Sequence, residues 1–144
     1  MNIQLIEFLQ KQTTITVCCI DEDGSPWCFS CFYTLNSKEA LLYYKSSDAA
    51  RHTSLVKNNP LVAGTVLPDK LNKLMIKGIQ FSGIVLQPEH DALKDATKFY
   101  YAAHPMALAM QGQLWTVQLN YIKMTDSTLG FAKKLSWNRE EILG

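Results

Sequence analysis

The chain is 144 residues long, 47% hydrophobic and 19% charged, the balance of one globular domain with enough apolar material for a sizeable core. Its 14 basic and 13 acidic residues leave a formal net charge of +1, so bulk electrostatics gives no reason to expect a nucleic-acid partner. Met1 to Gln12 lacks a basic lead followed by an apolar core, and no apolar run reaches the length of a membrane span, so the protein is expected in the cytoplasm.

Asn2 to Lys11 reads as an opening helix with Ile3 and Ile6, joined by Leu5 and Leu9, on its buried side. Thr13 to Ile20 is rich in β-branched residues, Asp21 to Pro26 is a charged turn containing Gly24, and Trp27 to Leu35 returns as the second arm of a hairpin. Asn36 to Glu39 turns into the strand Leu41 to Lys45. A polar turn and a short helix follow, ended by Pro60, before the strand Leu61 to Leu67. Pro68 to Asn72 turns the chain into a long strand, Leu74 to Gln87, where Gly78 and Gly83 make a bulge or a close backbone approach easiest. Leu93, Ala96, Tyr100 and Ala103 recur at helical spacing, which predicts a crossover helix from about His90 to Ala103, with a further turn over Met106 to Met110. The last strand, Leu114 to Thr125, carries Trp115, Val117 and Leu119 in strict alternation. The tail over 128–144, with Phe131, Lys133, Lys134 and Trp137, is too apolar to float free and is expected to dock on the body or on a partner subunit. The sum is an α+β, mainly β, single domain over 1–144: a six-stranded antiparallel barrel with short flanking helices.

The segment Leu41 to Val66 carries the clearest chemical signal. Ser46, Ser47 and Asp48 are all good N-cap residues, and Arg51 and His52 fall in the first helical turn. A helix start is already positive, so Arg51 there, with Lys45 just before it, is unfavourable unless an anion joins them, and a phosphate would remove the conflict. The plainer alternative is that Asp48 caps the helix and balances Arg51 while the serines form a turn. The four cysteines offer no metal or redox motif, because Cys28 and Cys31 sit three apart in a strand and face opposite sides, as do the neighbours Cys18 and Cys19. All four read as reduced small hydrophobes, with Cys28 or Cys31 available to line a pocket. Of His52, His90 and His104 only His52 is placed for a role. Asp21, Glu22 and Asp23 read as a solvated turn cluster, and Lys73 and Lys77 as solvated charges.

The order of elements, the GSPWCFSCFY strand, the YYKSSDAARH turn, the KNNPLVAGTV that follows and the MIKGIQFSGIV strand together resemble the flavin-binding split barrel of the pyridoxamine 5′-phosphate oxidase-like superfamily. VAGTV, KGIQFSG and the tail TDSTLGFAKKLSW resemble most the uncharacterised YhbP-like family within it. The resemblance covers nearly the whole chain. It implies FMN as cofactor, with the phosphate held by Lys45, Ser46, Arg51 and His52, flanked by Tyr44 and Ser47. It implies an isoalloxazine ring lying along Cys28, Phe29, Ser30 and Cys31, with Lys73 reaching towards it. It also implies a homodimer with flavin at the subunit interface, where Trp137 either closes over a partner's flavin or anchors the tail, and Phe29 is either core or flavin wall. Two departures argue against vitamin B6 oxidation. The second strand lacks Arg or Lys, and after Trp137 only Arg139 remains, with no histidine following. The expectation is therefore a homodimeric FMN-binding protein, a small flavin-dependent oxidoreductase of unknown substrate with no evident acid or base. The alternatives are a non-catalytic split-barrel module for heme or a deazaflavin, and a dimeric scaffold that docks another protein through Phe131 and Trp137.

Overall fold

Asn2 opens the first helix because its side-chain oxygen accepts the Gln4 N–H at 2.8 Å, and α1 runs over Ile3–Lys11. Leu5, Phe8 and Leu9 form its buried side. Ile3, expected inward, is 62% exposed; it lies two residues, roughly 200° of rotation, from Leu5 and so faces away. The computed structural model describes residues 1–87, 95–129 and 133–140.

Strands β1 (Thr14–Ile20) and β2 (Pro26–Asn36) form the expected antiparallel hairpin, with Gly24 at φ +82 in its turn. β3 (Leu41–Ser46) pairs with β2, and the helix α2 (Arg51–Asn58) leads to β4 (Leu61–Val66), which pairs with the other edge of β1. β5 spans Lys77–Leu86, starting later than expected from the run beginning at Leu74. The Asn72 side chain accepts the Leu74 N–H and its carbonyl accepts the Met75 N–H, so the local turn takes the donors that a strand would need. After α3 (Ala96–Ala103) and a 3-10 turn over Pro105–Ala109, β6 (Gln113–Asp126) pairs with β5 along most of its length. Its first half also pairs with β3, which closes the barrel in the order β1, β2, β3, β6, β5, β4. The second half of β6 pairs with a seventh strand, β7 (Lys133–Asn138), which lies outside the closed barrel. The tail thus docks as a strand, through main-chain hydrogen bonds. The expected helix start at His90, and Leu93 and Phe131, lie outside the described residues.

The bulge expected near Gly83 is present, because the β5–β6 register slips between Ser82 and Gly83. A Cβ at Gly83 would stand 2.3 Å from Gln118 O, so only glycine lets the two backbones meet there. Trp115, Val117 and Leu119 all point into the barrel and are buried, as their alternation requires. A second, smaller cluster of Leu41, Tyr43, Leu86, Ala96, Tyr100 and Ala107 packs α3 and the 3-10 turn onto the outer side of β3. Among the described residues no helix is long and apolar enough to cross a membrane.

Candidate functional site

The start of α2 is where the sequence points to anion chemistry, and its geometry differs from the expected capped turn. The N-cap is Ala50, which has no side chain to cap the helix, so neither Ser46, Ser47 nor Asp48 does that work. Ser47 braces the turn from outside the helix: its hydroxyl accepts the Ala49 N–H at 3.2 Å and its carbonyl accepts the Thr53 hydroxyl at 2.7 Å. A helix start without a capping side chain leaves its N-terminal donors suited to an external anion.

Arg51 is balanced by Asp21, not by Asp48. The two form an ion pair across the molecule, from the first turn of α2 to the end of β1, and the guanidinium lies 4.2 Å from the Trp27 ring centroid. The Asp21 side chain is 20% exposed, so it is not the solvated turn charge expected, whereas Arg51 is 56% exposed and its outer side is open. No local pattern announces this pair. Its signal is the hairpin register, which sets Cys19 opposite Trp27 and so brings Asp21 and Trp27 to the same end of the barrel.

His52 stacks on Phe29 with ring centroids 3.7 Å apart and an 8° interplanar angle, while its Nε2 shares a hydrogen bond with the Ser46 hydroxyl. Burial holds the imidazole below its ordinary pKa of 6.5, which keeps it neutral near pH 7. The positive charge at this helix start therefore comes from Arg51. Phe29 is half-buried, lies 5.6 Å from Tyr44, and packs against the core. Tyr44 is fully buried behind it, so it supports Phe29 and does not reach the surface.

Lys45 is not part of this cluster. Strand alternation turns it to the opposite face from Ser46, where its ammonium donates to Tyr101 Oη at 3.0 Å, Ala107 O at 2.7 Å and Met110 O at 2.5 Å. It fastens the 3-10 turn to β3. Along β2, Cys28 and Ser30 face outward while Phe29 and Cys31 face the core side, as expected from alternation. Burial pushes the Cys31 thiol up to about 12, consistent with an inert core cysteine, whereas Cys28 is exposed. Lys73 lies exposed in the β4–β5 loop, which leaves β4 at the end opposite to the one that α2 enters. Lys77 is not a solvated charge, because it pairs with the buried carboxylate of Asp126 at 3.1 Å. Trp137 is 3% exposed and sits in the main core, so within the chain it anchors the tail. Arg139 donates to the backbone carbonyls of Leu119, Glu39 and Ala40. His104 is engaged through Nε2 by Tyr33 O at 2.6 Å.

A cleft of about 710 Å³ opens between α1, the β4–β5 loop and the end of β6. Its charges balance, with Glu7, Asp69 and Asp126 against Lys11, Lys70 and Lys77, and it is lined by none of the residues nominated for cofactor binding. Charge balance gives it no preference for an anion.

No family model matches the chain. It is 38% identical over 139 residues to the UPF0306 protein of Photorhabdus laumondii, covering 96% of each chain. Among solved structures it is similar to a heme-binding protein from Mycobacterium smegmatis, with TM-score 0.76 and 17% identity over 92% of this chain and 55% of that one. It is also similar to a protein related to general stress protein 26, of the pyridoxinephosphate oxidase family, from Clostridium acetobutylicum (TM-score 0.68, 12% identity, 97% and 95% of the two chains). A FAD-binding protein from Mesorhizobium loti matches with TM-score 0.66 and 14% identity over 85% and 91% of the two chains. At these identities the structural likenesses establish the split-barrel fold.

Proposed function

The chain belongs to the UPF0306 family, and from that membership and its split barrel we propose that it is an FMN-binding protein acting as a small flavin-dependent oxidoreductase. The observation that carries the reading is the uncapped start of α2 with Arg51 beside it, next to a β2 strand whose outward side chains, Cys28 and Ser30, are small and neutral. The flavin-binding and pyridoxinephosphate oxidase-family neighbours support placing the chain in the pyridoxamine 5′-phosphate oxidase-like superfamily.

In this reading Arg51 neutralises the phosphate, Ser46 and Ser47 hydrogen-bond it, and His52 and Phe29 form a flat wall beside it. Cys28 and Ser30 allow close approach of a ring to β2, where backbone groups meet its polar edge. A bound flavin supplies hydride or electron transfer, and the protein supplies binding and electrostatics. Lys45 has no part in holding the phosphate. Vitamin B6 oxidation is not proposed, because β2 presents no basic side chain and Arg139 has its guanidinium occupied by backbone carbonyls. A second copy of the chain completes the site in this proposal. It would cover Leu61 on the outer side of β4 and the exposed Leu74 and Ile76 of the β4–β5 loop.

Heme is the second reading, favoured by the heme-binding neighbour from Mycobacterium smegmatis. His52 and His104, the candidate axial ligands among the described residues, are both engaged through Nε2, which counts against it. Fluorescence titration of FMN into the wild type and an Arg51→Ala variant tests the leading reading. Arg51→Ala is expected to weaken FMN by roughly tenfold to a hundredfold, the worth of about 1.5–3 kcal/mol for a hydrogen bond to a charged group. Equal affinity in the two proteins would remove the phosphate from α2.

A further inference from the structure

The Cys28 and Cys31 spacing conceals a different cysteine pair. Cys18 stands directly opposite Cys28 in the β1–β2 ladder. Ile15, Val17 and Cys19 of β1 are buried, so Cys18 and its partner project from the outer side, where Cys28 is exposed and Cys18 half-buried. The next pair on that side, Thr16 and Ser30, already brings its hydroxyls to 3.1 Å.

The phase of the ladder can be read from its two ends. The Tyr33 N–H donates to Thr13 O at 3.0 Å, and the Asp21 N–H donates to Ser25 O at 2.8 Å. Counting inward from either end, hydrogen-bonded pairs fall at Ile15, Val17 and Cys19, and non-bonded pairs at Thr14, Thr16, Cys18 and Ile20. Pro26, which has no N–H to offer, falls opposite Ile20 as this phase requires. Cys18 and Cys28 thus occupy a non-bonded pair, the type in which facing side chains lie closest, with Cα atoms about 4.5 Å apart. That separation is inside the range a disulfide spans. Cys19 and Cys31 are turned to the core side and cannot compete.

We propose that Cys18 and Cys28 are a redox-modification site, forming a reversible cross-strand disulfide when the protein meets a diffusible peroxide. The Cys28 thiolate attacks one peroxide oxygen; the O–O bond breaks, and the leaving hydroxide takes up a proton as water. The Cys18 sulfur then attacks the Cys28 sulfenic acid, the S–S bond forms as the S–O bond breaks, and a second water leaves with the Cys18 proton. The two thiols together lose two electrons to the peroxide. The order follows from the local chemistry: the hydrogen bond to Cys28, with burial, pushes the Cys18 thiol up to about 11, so Cys18 stays protonated while the more exposed Cys28 meets the oxidant first. The proposal does not rest on flavin binding.

The test uses the flavin-free full chain, treated with hydrogen peroxide, alkylated, and cleaved after Glu22, which separates Cys18 and Cys19 from Cys28 and Cys31. The expected product is lighter by two hydrogen atoms, joins the Cys18 and Cys28 peptides within one chain, leaves Cys19 and Cys31 alkylated, and reverts with dithiothreitol. A Cys18→Ser variant is expected to stop at a Cys28 sulfenic acid that dimedone traps. The proposal is overturned if oxidation links two chains, if the bond involves Cys19 or Cys31, or if both Cys18 and Cys28 remain free at peroxide doses that oxidise methionine.

Discussion

Asp21 already occupies the guanidinium that a phosphate would use, and this shapes what single substitutions should do at the α2 site. An incoming phosphate must displace or share Arg51 with the Asp21 carboxylate, which also repels it. Asp21→Asn keeps the shape and removes the competing charge. Since Arg51 is more than half exposed, solvent screening limits the gain to about 0.5–1 kcal/mol, a two- to fivefold lower Kd for FMN at low salt. A fluorescence titration reading weaker binding for this variant would mean that Asp21 positions Arg51 and does not compete with the ligand. Asp126 is a residue whose role lies in stability. Burial alone would raise its carboxyl pKa, but the Thr128 hydroxyl and N–H and the Lys77 ammonium outweigh burial and hold it below its ordinary value of 3.8. A folded-state value below the unfolded one means that the stabilisation is complete above pH 3.8 and is lost as pH falls through the lower folded value. Melting temperature should therefore fall as pH drops below about 4, and Asp126→Asn should reduce that fall. An unchanged acid limb in the variant would assign acid sensitivity to other carboxylates.

At the scale of elements, legibility followed locality. The β1–β2 hairpin, the inward alternation of Trp115, Val117 and Leu119 and the bulge at Gly83 were all readable, because each depends on residues close in sequence or on a strict period of two. The apolar run Leu74 to Ile76 looks like strand, but β5 starts later because the Asn72 side chain and carbonyl take the Leu74 and Met75 N–H donors. The seventh strand was read only as a docking tail, since its pairing partner is β6 and six residues of β6 had to be left open by β3 before β7 could bond there. Trp137 holds that strand: it stands opposite Ile122 and is almost wholly inside the core. Trp137→Ala should cost about 3–5 kcal/mol of stability, measured by urea unfolding, as for other buried aromatic truncations. A cost under about 1 kcal/mol, the range of ordinary surface substitutions, would mean that β7 is not part of the folded core.

At the scale of the molecule, the barrel scatters the nominated residues, and Lys73 is left by itself in the β4–β5 loop. Phe29, Ser46, Ser47, Arg51 and His52 gather round the start of α2, Lys45 fastens the 3-10 turn on the other side of β3, and Trp137 sits in the core. Ser46, Ser47, Arg51 and His52 were visible through adjacency, whereas Phe29 was nominated only through the family resemblance. The orientation of Lys45 was missed because the strand was expected to end at Lys45, with Ser46 in the turn, whereas β3 includes Ser46 and alternation sets the two on opposite faces; that Asp21 arrives from another strand to meet Arg51 has no local signal. The most direct measurement of the α2 cluster as a flavin-phosphate site is the visible absorbance spectrum of the purified protein after incubation with excess FMN and desalting. A retained flavin spectrum, lost in Arg51→Ala, is the predicted result; a colourless protein that also leaves FMN fluorescence unchanged would contradict the account.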